Sequence, residues 1–240
     1  MLIYKYSGTL IGFLNVIFSI YTEKEPPLYI TAENELQYAL DTQVIEIEDN
    51  TEKAERIIKA IKNEYENIIM AFSSDRSDKE MILFQYIRLI FKFGQNVPLM
   101  QANTHVIAYN DLLKSVTHEI NRIQGFLRFK ELSNGIFYAQ YDPDNNITQY
   151  LMPYFTQRNS LMNFIIHDTR RNILGMYNTK QTQIIHSNTP IPLIFTQAEE
   201  TYQKLWHQYF NTVTISSRKN KRQQLYFMPR RYWKNMSETY

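Results

Sequence analysis

The chain has 240 residues, 44% of them hydrophobic and 21% charged, with a formal net charge of +2. A chain of this length can bury roughly 70–75% of its unfolded surface, so a core is available without staples. It contains no cysteine, which excludes a disulfide framework, a thiolate nucleophile, a thiolate zinc site and a cysteine-held iron–sulfur cluster; a reducing, cytoplasmic setting is the default expectation.

Residues 2–6 read as a strand. The apolar run "TLIGFLNVIFSIY" (9–21) is shorter than the ~20 residues that a membrane span requires, and Asn15 interrupts it. It therefore predicts a buried amphipathic helix, with no membrane partner and no signal peptide. "TQVIEIED" (42–49) alternates as a half-buried strand does. From Thr51, apolar positions 54, 57, 58, 61, 65, 68, 69 and 72 share one face at helical spacing and predict a single long helix. A second helix spans 77–94, with Ser77 as N-cap and Glu80 at the capping-box position. Its only polar line is Gln85, Arg88 and Lys92.

A third helix covers 104–124, with a buried seam at Val106, Tyr109, Leu113, Val116, Ile120 and Ile123. "FLRFKEL" and "IFYAQYD", joined by "SNG", read as a β-hairpin. A short helix follows "PDNN", and Pro153 must kink it or open a new first turn because it has no N–H to donate. "NFIIHD" and "ILGMYNT" form a second hairpin around "TRRN", with "QTQIIHS" as a third strand. "QAEETYQKLWHQYF" (197–210) is a helix that aligns Tyr202, Leu205, Trp206, Tyr209 and Phe210. The fold class is α+β: a mainly helical acidic half (1–125), then antiparallel hairpins and a basic helical C-terminal cap (126–240), packed as one unit.

The small net charge hides a strong asymmetry. Residues 1–80 carry fifteen acidic and eight basic side chains, whereas 201–236 carry eight lysines and arginines and no acid. Such segregation suggests a surface for a polyanion. Arg218, Lys219, Lys221 and Arg222 precede "QQLYFMPRRYWK", where Arg230, Arg231 and Lys234 alternate with Tyr226, Phe227, Tyr232 and Trp233. Cations neutralise phosphates, and aromatic faces stack on bases; the same aromatics could equally pack as a core cap. Arg122, Arg128 and Lys130 mark a second basic stretch. Arg170 and Arg171 sit at a hairpin tip, as turn residues or as a phosphate fork.

Glycine-rich phosphate loops are absent. "HEINR" (118–122) has Arg122 where a zinc-binding helix needs its second histidine, so no metal is expected. Asp168 and Glu119 are the candidate acids or bases, without an identifiable partner. No cofactor follows from the residues.

Six blocks, "VTHEINRIQGFLRF" (116–129), "GIFYAQYDPDNNI" (135–147), "PYFTQRN" (153–159), "NFIIHDTRRN" (163–172), "YQKLWHQYF" (202–210) and "ISSRKNKRQQLYFMPRRYWKNMSE" (215–238), occur in order. Together with "YKYSGTLIGFLNVIFSIY" at the start, they resemble a DNA-metabolism family that accompanies a radical-SAM protein linked to uracil-DNA glycosylases. The resemblance implies DNA repair or modification, with DNA, a radical-SAM enzyme and a uracil-DNA-glycosylase-like protein as partners. Without cysteine this chain would be the companion and not the radical-SAM catalyst. Relatives carry histidines within "PDNN" and at Tyr154, so an acid–base role there does not carry over. The expected contacts to nucleic acid are Arg122, Arg128, Arg158, Arg170, Arg171, Arg218, Arg222, Arg230, Arg231, Tyr232, Trp233 and Lys234. The two rival readings are an enzyme acting on DNA through Asp168 or Glu119, and a protein-interaction module with no nucleic-acid contact.

Overall fold

The computed structural model describes residues 2–32 and 42–236; positions 237–238 of the last quoted block lie outside them. The described chain forms two compact units, residues 1–117 and 118–240.

The first unit is built on a parallel sheet ordered β2-β1-β3, from β1 (Leu2–Lys5), β2 (Tyr29–Thr31) and β3 (Gln43–Glu46). The alternation at 42–49 yields β3, while β2 is too short to announce itself by periodicity. Between β1 and β2 runs α1 (Leu10–Glu23), the predicted buried helix. Thr9 caps it by accepting from the Gly12 N–H at 2.9 Å, which satisfies one of the orphan donors of the first turn. Asp49, in the loop after β3, accepts from Ser7 Oγ (2.7 Å) and Thr9 Oγ1 (2.8 Å). Gly12 is needed for this approach: a Cβ there would lie 2.5 Å from Ser7 Oγ and 2.7 Å from Asp49 Oδ1.

The single helix expected from Thr51 is two, α2 (Thr51–Ala60) and α3 (Tyr65–Phe72). Tight turn bonds from Ile61 N to Ile58 O (3.2 Å) and from Glu64 N to Ile61 O (2.9 Å) redirect the chain. Ile57, Ile61 and Ile68 stay buried in the same core, so the hydrophobic face is continuous while the backbone is not. In α4 (Lys79–Phe93) the expected capping box is absent: Asp78 occupies the N-cap without a side-chain bond. Glu80 is instead buried and accepts from the Tyr6 hydroxyl at 2.8 Å. α5 (Thr104–Phe126) begins in this unit, where Tyr109 stacks on Tyr86 of α4 with ring centroids 3.6 Å apart and planes within 9°.

The second unit centres on a five-stranded sheet ordered β4-β5-β6-β7-β8. Its strands are β4 (Lys130–Glu131), β5 (Phe137–Tyr141), β6 (Phe164–Asp168), β7 (Ile173–Tyr177) and β8 (Thr182–His186). Both predicted hairpins form, and β8 adds as the third strand. The sheet is not antiparallel throughout, however: β5 and β6 pair in parallel. The cause is α6 (Thr148–Arg158), which carries the chain back as a crossover. The helix continues through Pro153. Gly175 on β7 lets α6 lie close; a Cβ there would meet Met152 Sδ at 2.5 Å and Thr148 Cγ2 at 3.0 Å.

α7 (Gln197–Val213) is capped by Thr196, which accepts from Glu199 N at 3.0 Å. None of its residues is buried. Tyr202, Leu205 and Tyr209, expected as an aligned apolar face, are exposed. Two short helices, α8 (Lys221–Phe227) and α9 (Arg230–Trp233), end the described chain. No helix among the described residues is long and apolar enough to cross a membrane.

Candidate functional site

Four of the quoted blocks meet in the second unit. Glu119, from α5, is 3% exposed and faces the turn Asp142–Asn145 that follows β5. Its Oε1 accepts from Asp144 N (2.9 Å), and its Oε2 accepts from Asn145 N and Asn145 Nδ2 (both 2.8 Å). From the other side, the Arg171 guanidinium donates to the carbonyls of Pro143 (3.3 Å), Asp144 and Asn145 (3.3 Å). One side chain thus takes the turn's N–H groups and the other its C=O groups. A polar backbone segment without a ladder partner must be satisfied in some such way when buried.

Arg171 is itself held by Asp168 Oδ2 at 3.2 Å. Asp168 is fully buried, and its Oδ1 accepts from the backbone N–H groups of Arg170 (3.0 Å) and Arg171 (3.1 Å). Burial pushes its carboxyl above the ordinary carboxylate value, and the Arg171 charge and these N–H donors pull the other way. Asp168 and Glu119 therefore serve as acceptors that shape a turn. Neither faces open solvent, where a substrate proton would be met.

The C-terminal segment joins the same cluster. The Tyr232 hydroxyl donates to Glu119 Oε1 at 2.8 Å, and Arg231 reaches that oxygen at 3.3 Å. Arg231 also pairs with Asp144 Oδ2 at 2.5 Å. Burial and the Glu119 charge push the Tyr232 phenol far above its ordinary value. Tyr232 is 3% exposed; the aromatic expected to stack on a base is a core residue here. Lys234 pairs with Asp142 at 2.9 Å, and Arg170 lies 3.7 Å from Asp144. Of the expected contacts, Arg171 is committed to holding the turn, and Arg170, Arg231 and Lys234 are paired with its acids.

The remaining cations are placed differently. Arg218, Arg222 and Arg230 are exposed, and none makes an ion pair among the described residues. Arg158 is exposed and donates to the Tyr154 hydroxyl at 3.0 Å. Arg128 bonds the Gly125 carbonyl at 2.9 Å, and Arg122 is half-buried. An open groove of about 730 Å³ runs between the end of α7, α8 and α9, lined by Arg218, Lys219 and Lys221 together with Phe210, Phe227 and Trp233. No carboxylate lines it among the described residues. Trp233 is fixed by donation from its Nε1 to the Met228 carbonyl at 2.9 Å.

One pair escaped the sequence reading. The Tyr138 hydroxyl lies 2.6 Å from His167 Nδ1 across β5 and β6. His167 Nε2 is buried without a partner, and burial holds the imidazole below its ordinary pKa. The signal was there only in the register, since Gln140 opposes His167 and puts Tyr138 on the same face. No group of three or more His, Cys, Asp or Glu side chains that could hold a metal occurs among the described residues.

The fold and site define an α+β protein of two units, whose second unit holds a buried carboxylate–guanidinium clamp and a separate groove lined by cations and aromatic rings. Residues 77–238 match the family described as a domain of unknown function, DUF4130, and the chain belongs to that family. A comparison with curated proteins finds no match.

Proposed function

We propose that the protein binds nucleic acid in DNA repair or modification, as the companion of a radical-SAM enzyme. The observation that carries the binding is the groove at the end of α7, which three cations and three aromatic rings line without a carboxylate among the described residues. Cations without internal partners are the ones free to neutralise phosphates, and aromatic faces beside them suit unstacked bases. The companion role, with a uracil-DNA-glycosylase-like protein as a further partner, rests on the family resemblance in the ordered sequence blocks and on the lack of cysteine.

Fluorescence anisotropy with labelled single- and double-stranded oligonucleotides, at several salt concentrations, tests the binding. The expected result is an affinity that falls steeply with salt, each phosphate contact adding roughly −0.7 to −0.9 to the log–log slope. Replacing Arg218, Lys219, Lys221 and Arg222 by alanine should flatten that slope and leave Tm unchanged, because all four are exposed. No binding at low salt would overturn the proposal. Co-purification with a co-expressed radical-SAM protein tests the companionship separately.

A further inference from the structure

We infer that the acidic turn Asp142–Asp144 is an internal stand-in for phosphate, and that Arg170, Arg231 and Lys234 form a second polyanion contact that nucleic acid gains by displacing it. The inference rests on the nucleic-acid reading and specifies how part of that surface is regulated. Residues 201–236 contain no acid of their own. The two carboxylates come instead from one short turn: Asp142 pairs with Lys234 at 2.9 Å, and Asp144 pairs with Arg231 at 2.5 Å and faces Arg170 at 3.7 Å.

What makes the turn exchangeable is the division of labour within it. Its backbone is locked by Glu119 and Arg171, so the fold does not depend on the two aspartate side chains. Their carboxylates are partly exposed, at 34% for Asp142 and 49% for Asp144. Ion pairs that exposed contribute little to stability and are screened by salt. Displacing one therefore costs the protein little, while a phosphodiester offers each cation the same charge on a like pair of oxygens, and a strand offers several such groups in series. Arg231 keeps Glu119 and Tyr232 as partners when Asp144 leaves, so it stays oriented. The exchange sets a threshold: a polyanion must outcompete two local carboxylates before it engages the α9 segment.

The test uses the full chain, labelled single-stranded DNA and the anisotropy assay at low salt. The double variant D142N/D144N keeps the side-chain shapes and should bind about tenfold more tightly, with a log–log salt slope steeper by about one to two contacts. A folded double variant that binds no more tightly than the wild type overturns the exchange and leaves the groove reading intact. If the wild type does not bind, both readings fall, whatever the variant does. A double-mutant cycle keeps the test independent of Asp144. Lys234→Gln should leave affinity nearly unchanged in the wild type, where Asp142 occupies the lysine, and should weaken binding several-fold in the Asp142→Asn background. Equal effects in both backgrounds would overturn the inference.

Discussion

Glu119 receives donors from two backbone N–H groups, an amide, a phenol and a guanidinium. Truncating it leaves each of those groups to be satisfied elsewhere, and breaking a buried pair by removing one partner costs about 3–5 kcal/mol. Glu119→Ala should therefore lower stability by about that amount in chemical denaturation, whereas Glu119→Gln keeps one acceptor oxygen and should cost about 1–3 kcal/mol. His167 gives a prediction in pH. Its folded pKa lies below the ordinary 6.5, so between the two values the unfolded chain binds a proton that the folded one does not. Stability is then fully present above about pH 6.5 and declines as pH falls through the lowered folded value. The Tyr138 hydroxyl faces the ring, and the Asp168 charge, from the next position of β6, pulls the pKa the other way without overcoming burial. Denaturation curves at several pH values should show this decline in the wild type and a flatter profile in His167→Gln.

At the scale of elements, the tightest fit is β7 against α6. Gly175→Ala would drive a methyl into Met152 and Thr148, and overpacking of this kind costs about 1–3 kcal/mol. A thermal melt should show a clear loss, part of which Met152→Ala should restore by opening space. Elements with a strong period were legible in the sequence: α1, α5, both hairpins and α7 lie where their patterns put them. What failed were features decided by tertiary contacts. The break at 61–64 leaves the hydrophobic face intact and so leaves no mark in periodicity. Glu80 suits a capping box by spacing, but a buried tyrosine hydroxyl claims it. Arg231 and Tyr232 directly follow exposed Arg230 as the next two residues, yet only the fold reveals that their partner is Glu119, more than a hundred residues earlier. The residues of the site were largely nameable in advance; which of them are spent internally was not.

Across the whole molecule, charge and architecture divide alike. The acid-rich stretch 1–80 lies in the first unit, and the acid-free stretch 201–236 lies in the second. A polyanion should therefore engage the second unit, because the first would repel it. Hydrogen exchange with and without a single-stranded oligonucleotide should place protection on 210–236 and leave amides of 2–32 and 42–117 unchanged. Protection spread evenly over both units would contradict a localised interface.

The deep placement of tyrosine carries one more consequence. Eighteen tyrosines are present, and burial lifts the phenols of Tyr6, Tyr86 and Tyr109 in the first unit, and of Tyr141 and Tyr232 in the second, far above the ordinary 10.0. In strong alkali these rings stay neutral for as long as their surroundings hold. Tyrosinate absorbance in the ultraviolet is thus a built-in optical gauge of opening, and phenylalanine replacements in one unit or the other would show which of the two gives way first.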